Sequence, residues 1–190
     1  MRIIAGVAKG RVLKTPSGTG TRPMTGRARE AVFSSIASSI LGADVLDLYA
    51  GTGSLGLEAL SRGAATAVFV ERDRAALRAL RANIGAVGLG GEVVARGVDD
   101  YLASVTAGHA EGPSIRFTLV FMDPPYELSI ARVEQQMAAT ARLLRDRGSL
   151  VLHRLRGERR PEAPGLRPAR TRAYGTARIW RYQQVRRVSG

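Results

Sequence analysis

Apolar positions along this chain follow two alternating periods, short runs suited to strands and longer stretches with one apolar face suited to helices. Runs at 44–49, 66–71, 92–96, 117–122 and 149–154 are rich in Val, Leu, Ile and Phe and predict five strands. Helical spacing predicts helices at 54–62, 73–87, 99–106 and 130–145. In 73–87, Ala76, Leu80, Ile84 and Val87 share a face, Asp73 suits the N-cap, and Gly63 and Gly88 are natural helix stops. Strands interleaved with helices of this length predict an α/β fold with a mostly parallel, doubly wound sheet. Before this alternation, Ile3, Ile4 and Val7 precede a Lys9-Gly10 turn, and Val12 and Leu13 follow it. That predicts a small N-terminal β-hairpin over 2–15, then a loop with Gly18, Gly20 and Pro23, then a helix over 27–41. Residues 155–168, with Pro161, Pro164, Gly165 and Pro168, read as an exposed connection. Arg170–Tyr174 and Ala177–Gln183 around Gly175-Thr176 predict a C-terminal antiparallel hairpin.

Composition narrows the class. The chain has 190 residues and 45% hydrophobic content, enough for one compact domain with a small appendage. No run approaches the ~20 apolar residues of a bilayer span, and Met1–Gly6 lacks the core of a secretory signal, so a cytoplasmic protein without a membrane partner is expected. Without cysteine there is no disulfide, thiolate nucleophile or Cys-based zinc site, and His109 and His153 are too few for a His-rich metal site. No dimer stripe is evident, so a monomer is expected.

Charge adds a partner. The formal net charge is +13, but residues 1–35 carry +6, residues 153–190 carry +9, and the body between them is near neutral at −2. Two basic ends on a neutral body favour a polyanion, although arginine can also serve solubility alone. Aromatics, at 5%, are too sparse for a long single-strand stacking platform.

Asp47 to Gly56 lies where the first strand meets the first helix, and Gly51-Thr52-Gly53-Ser54-Leu55-Gly56 fits G-x-G-x-x-G. The spacing alone is weak; Glu71, twenty residues beyond Gly51 at the next strand end, strengthens a nucleoside reading because it can accept both ribose hydroxyls. A dinucleotide would set its pyrophosphate near Asp47 and be repelled. S-adenosylmethionine has no phosphate and carries an ammonium and a sulfonium, which an acid suits. Asp47 could instead cap the loop. Tyr49, Ala50, Gly51, Gly53, Gly56, Arg72 and Val98 complete the expected cofactor wall. Asp99 is the candidate for the adenine amine, though Asp99 or Asp100 could instead cap the helix.

Val120 to Tyr126 carries the candidate chemistry: an apolar strand ends abruptly in Asp123-Pro124-Pro125-Tyr126. The prolines stiffen the backbone. Asp123 and the Pro124 carbonyl could accept the two hydrogens of an exocyclic amine, and the Tyr126 ring could stack on the base. A rigid turn at the sheet end is the plainer alternative.

The Asp-Pro-Pro-Tyr stretch resembles the (Asn/Asp/Ser)-Pro-Pro-(Tyr/Phe) motif of class I methyltransferases that act on exocyclic amines. Arg2–Gly6, Gly10-Arg11, Arg22-Pro23, Arg27–Phe33, Asp47–Gly63 and Phe69–Asp73 extend the likeness over nearly the whole chain. Together they resemble the RsmD family of bacterial 16S rRNA guanine-N2 methyltransferases. That resemblance implies a Rossmann-like methyltransferase domain at 27–190 and an RNA-gripping extension and loop at 1–26. It implies S-adenosylmethionine as donor, and as target guanine 966 (rRNA numbering) in 16S rRNA or a small-subunit assembly intermediate. Arg22, Met24 and Thr25 would border the methionine end of the cofactor, and Arg11, Lys14, Arg27 and Arg29 would contact phosphates. Two positions depart from the family pattern: Met24 interrupts Arg-Pro-Thr, and Gly97 stands where an acid commonly ends the third strand.

Three rivals stay open on the residues alone. A DNA amino-methyltransferase shares the motif, but 190 residues leave little room for target recognition. A non-enzymatic basic binding module would not need the glycine turn, Glu71 and Asp123 together. A nicotinamide oxidoreductase is opposed by Asp47.

Overall fold

A computed structural model describes residues 1–16, 24–107 and 117–185. One seven-stranded sheet runs through it in the order β3-β2-β1-β4-β5-β7-β6. The strands are β1 (Asp44–Leu48), β2 (Thr66–Glu71), β3 (Glu92–Ala95), β4 (Phe117–Met122), β5 (Leu144–Leu155), β6 (Leu166–Tyr174) and β7 (Ala177–Gln184). β1 to β5 are parallel; β7 is antiparallel to both β5 and β6. The expected doubly wound sheet with a C-terminal antiparallel hairpin is present.

The helices are α1 (Gly26–Ser35), α2 (Ser54–Ser61), α3 (Arg74–Val87), α4 (Val98–Thr106) and α5 (Ile130–Leu143). Alternate residues of each strand feed two cores. Val45, Leu119, Phe121 and Val151 meet α1, α2 and α3 on one face. Leu46, Leu48, Val120, Met122 and Leu152 meet α4 and α5 on the other. Burial on both faces explains why β1 and β4 read as near-continuous apolar runs. Local signals acted as the sequence suggests at α3: Asp73 accepts the Ala76 N–H at 2.7 Å, and Gly88 ends the helix at φ 74°.

Three boundaries, and the exposure of one connection, differ from expectation. The helix over 27–41 stops at Ser35, and a 3₁₀ turn (Ala37–Ser39) follows. β5 begins at Leu144, not 149, because a bulge carries the exposed, charged Arg145-Asp146-Arg147, whose polarity masks the strand period. β6 begins at Leu166 and contains Pro168, which an edge strand tolerates because its N–H side can face solvent. The connection before it is not wholly exposed: Pro161 is buried, and its carbonyl accepts the Tyr182 hydroxyl.

The N-terminal hairpin has a single bridge, Arg2 with Val12, and is held mainly by α2 and α3. Buried Glu58 accepts the Ile4 and Ala5 N–H groups at 2.7 and 3.0 Å. Ser61 bonds Ala8 N and Ala5 O. Asn83, fully buried, bonds Lys14 N and O, and its amide also donates to the Thr52 carbonyl. Ile3 and Leu13 join the α1–α3 core.

Gly56 sets the distance between α2 and the sheet: a Cβ there would lie 2.3 Å from the Phe69 ring. Gly56→Ala is therefore expected to destabilise by about 1–3 kcal/mol in urea unfolding, with partial recovery in Gly56→Ala/Phe69→Leu. An unchanged midpoint would show that this contact is not close-packed.

Candidate active site

The carboxyl ends of β1, β2 and β4 open into a cavity of about 640 Å³. Its walls come from the β1–α2 loop (Tyr49 to Thr52), the end of β2 (Val70 to Asp73), the start of α4 and the β4–α5 loop (Asp123 to Tyr126). Met1, Pro16 and Met24 add the N-terminal segment. Open parallel sheets bind ligands at this edge, where crossovers leave in opposite directions.

Two carboxylates hold the glycine loop. The Gly56 N–H donates to Asp47 Oδ2 at 2.9 Å, and the Gly51 N–H donates to Glu71 Oε2 at 2.8 Å. Glu71 Oε1 also accepts the Arg72 and Asp73 N–H groups. Within the loop Tyr49 takes φ 62°, costly for a non-glycine residue. Its ring is anchored: the hydroxyl donates to Gln136, Gln136 Nε2 donates to Asp99 Oδ1 at 2.7 Å, and Asp99 pairs with Arg132 at 3.0 Å. That chain links the β1–α2 loop to α4 and α5 along one wall.

Burial pushes the Asp47 carboxyl up to about 7, against the lowering effect of the Gly56 N–H; the negative charges of Asp123 and Glu71 raise it further. Glu71 and Asp123 thus line the cavity, with Asp47 buried beneath its loop and within reach of their charges.

Asp123, Pro124, Pro125 and Tyr126 all line the cavity, as do Tyr49, Ala50, Gly51, Glu71, Arg72, Val98 and Asp99. Asp123 and the glycine bend therefore face one space. Other expectations need correction. Asp47 is 1% exposed and lies beneath the loop, so it acts on the cavity by charge and by bracing rather than by contact. Gly53 and Gly56 are buried behind the wall; a Cβ on Gly53 would meet Leu80 at 2.5 Å, so both glycines serve helix–sheet packing. The Thr25 hydroxyl caps α1 through Ala28 N and is not on the wall, which Met24 occupies instead. Asp99 and Asp100 do not cap α4: Gly97 is its N-cap, with no side-chain bond. Arg29 is 3% exposed and donates to the Arg2 carbonyl and Met1 sulfur, so it is structural and unavailable to phosphate. Arg22 lies outside the described residues. Arg11, Lys14 and Arg27 are exposed.

Two residues of β5 escaped sequence reasoning. His153 Nδ1 lies 2.7 Å from Asp123 Oδ1, and an ionised carboxylate can only accept, so Nδ1 carries the proton. Arg154, 1% exposed, donates to the Pro125, Tyr126 and Leu128 carbonyls and to Glu158. Three carbonyls are thereby drawn inward. Among the described residues the Pro124 carbonyl receives no hydrogen bond. A His-Arg pair directly after the apolar run Leu150–Leu152 was the available signal; its loop partners are about thirty residues away in sequence.

The chain matches, over residues 1–183, the family described as conserved hypothetical protein 95. It belongs to that family. Among its relatives, Ribosomal RNA small subunit methyltransferase D of Escherichia coli (strain K12) is 38% identical over 152 residues, 80% of this chain and 70% of that one. YlbH of Bacillus subtilis (strain 168) is 34% identical over 185 residues, 97% and 99% of the two chains. The solved structure of Escherichia coli yhhF superposes with TM-score 0.83 at 32% identity, over 97% of this chain and 98% of that one. Family membership covers both the cavity loops and the N-terminal segment that roofs them.

Two outcomes follow from the site. Protonated Asp47 is favoured by the fold. Its stabilising contribution is therefore full below its unfolded value near 3.8, falls as pH rises, and is gone above about 7. Asp47→Asn should match the wild type in unfolding free energy at pH 4 and exceed it by a few kcal/mol at pH 8; parallel curves would refute the burial argument. Arg154→Lys keeps the charge but cannot span three carbonyls, so a loss of about 2–3 kcal/mol is expected in urea unfolding. An unchanged midpoint would mean the loop is held by other bonds.

Proposed function

We propose that this protein is an S-adenosylmethionine-dependent rRNA methyltransferase acting on the exocyclic N2 amine of a guanine in 16S rRNA. The observation that carries the reading is the shared cavity: the glycine loop and Asp123-Pro124-Pro125-Tyr126 face one space of about 640 Å³. Relatives named as small-subunit rRNA methyltransferases support the substrate class. Guanine 966 follows from the family resemblance alone.

The cavity's chemistry fits the cofactor. Its volume lies within the range of small-molecule sites. Glu71 and Asp123 line the cavity and Asp47 lies beneath its loop, close enough for their charges to add to the raised pKa of Asp47, a setting that suits a cation and repels a diphosphate. Gly51, whose absent Cβ meets nothing within 4 Å, leaves room for a ligand against the backbone. Glu71 would take the ribose with the remaining lone pairs of a carboxylate oriented by the Gly51, Arg72 and Asp73 N–H groups. Tyr49, Ala50, Arg72, Val98 and Asp99 would line the remainder. When bound, the cofactor supplies an electrophilic methyl group on a sulfonium.

The chain's own residues orient the amine. His153 engages Asp123 Oδ1, which leaves Oδ2 to accept one amine hydrogen. Arg154 turns the next carbonyls away, which leaves Pro124 O to accept the other. With both hydrogens held, the nitrogen lone pair is directed at the methyl group, and positioning supplies most of the rate. Attack by the neutral amine would be matched by cleavage of the methyl–sulfur bond, and the proton of the resulting cationic amine would pass to Asp123 Oδ2. Tyr126 offers a stacking face to the extruded base, offsetting part of the unstacking cost. Exposed Arg11, Lys14 and Arg27 would take phosphates at the N-terminal side.

Methyl transfer to unmodified 16S rRNA, assembled small subunits and duplex DNA tests the reading. Transfer to the rRNA-containing substrates, at guanine N2, is expected. Asp123→Ala should lower transfer at least ~100-fold while cofactor affinity by calorimetry stays within about threefold. Full turnover by that variant, or transfer to DNA alone, would overturn the assignment.

A further inference from the structure

We propose that one face of the C-terminal hairpin β6–β7 is a track for the phosphate backbone of the RNA whose base enters the cavity; this rests on the RNA reading above. Between Leu166 and Gln184 the chain has five arginines and no Asp or Glu. Among the described residues none of the five makes an ion pair, whereas Arg159 and Arg160 just before them pair with Glu134 and Glu162. Arg167 bonds Gln183, and Arg181 donates to the Ser35 carbonyl.

Register decides where these charges stand. Arg167 pairs with Gln183 and Pro168 with Tyr182; then the ladder skips a residue, so that Arg170 pairs with Arg181 and Arg172 with Ile179. Because side chains alternate, a regular strand would put Arg167 opposite in facing to Arg170 and Arg172. The bulge brings all three onto one face. Alternate strand residues lie about 6.6 Å apart, comparable to successive phosphates of a nucleic acid strand. The opposite face carries Trp180 and Tyr182, buried in the other core.

The charged face leads to the site. Arg181 pairs with Val151, and Ile179 with His153, so these arginines share a sheet face with the partner of Asp123. β6 runs parallel to β5, so its Tyr174 end lies at the edge where β5 delivers His153 and Arg154. A furrow between α1 and the hairpin, lined by Ala31, Val32, Ser35, Arg170, Arg172 and Tyr174, runs beside it. Across the furrow, α1 begins two residues after Met24 of the cavity wall and carries exposed Arg27.

Charged residues also protect sheet edges from pairing with other chains. Edge protection needs neither a single sign of charge nor alignment on one face. The test separates the two roles. Binding of unmodified 16S rRNA is measured between about 50 and 300 mM salt for wild type, Arg170→Gln/Arg172→Gln and Arg170→Lys/Arg172→Lys, with cofactor affinity by calorimetry and oligomeric state by light scattering. The glutamine pair is expected to weaken RNA about tenfold and reduce the log–log salt slope by about 1.4–1.8, with cofactor affinity unchanged; the lysine pair should keep the slope. Wild-type affinity and slope in the glutamine pair would overturn the track while leaving the RNA reading intact. Self-association of that pair with undiminished RNA binding would make the arginines edge guards. A flat salt dependence in the wild type would remove the RNA reading itself, and the track with it.

Discussion

The β1–α2 loop is held at both ends by carboxylates from two adjacent strands, and the site depends on that restraint. Asp47 accepts Gly56 N from below, and Glu71 accepts Gly51 N from the side. The loop pushes Tyr49 into the left-handed region and brings Gly53 and Gly56 against Leu80 and Phe69. Such a bend is unfavourable for an isolated chain. It persists because the strands β1 and β2 are paired in register, with Asp47 beside Phe69 and Leu48 beside Val70. The cost of burying Asp47 appears as its raised pKa.

A second restraint operates on the other wall. Arg154 satisfies three carbonyls of the proline-stiffened loop from inside the fold, and Glu158 accepts its Nε–H. His153, next to it, points to the opposite face and holds Asp123. One strand therefore fixes both halves of the Asp-Pro-Pro-Tyr stretch: the acid on one side of the sheet, the carbonyls on the other. A buried guanidinium is tolerable only because its N–H groups are satisfied, Nε by Glu158 and the rest by carbonyls.

The N-terminal segment belongs to the same mechanical unit. Asn83 on α3 ties Lys14 to Thr52, so the basic extension and the glycine loop share one side chain. On the far side, the arginine face of the hairpin meets the opposite flank of α1, so basic surfaces stand on both sides of the helix that begins at the cavity wall.

Much was legible in the sequence because it is local. Burial on both faces makes parallel strands apolar throughout, so β1, β2 and β4 could be placed almost to the residue, and Asp73 and Gly88 bounded α3. The glycine spacing and the Asp-Pro-Pro-Tyr motif marked the two loops, because each needs backbone conformations that few residues allow. Long-range pairing was hidden. Whether Gly53 and Gly56 meet ligand or Phe69, whether Arg29 meets phosphate or a backbone carbonyl, and which acid His153 holds are all set by contacts across dozens of residues. The bulges in β5 and β6, of three residues and one, were equally invisible, since an odd slip leaves composition untouched and reverses every following side chain's facing. Composition fixed the charge, and tertiary structure alone decided the face that carries it.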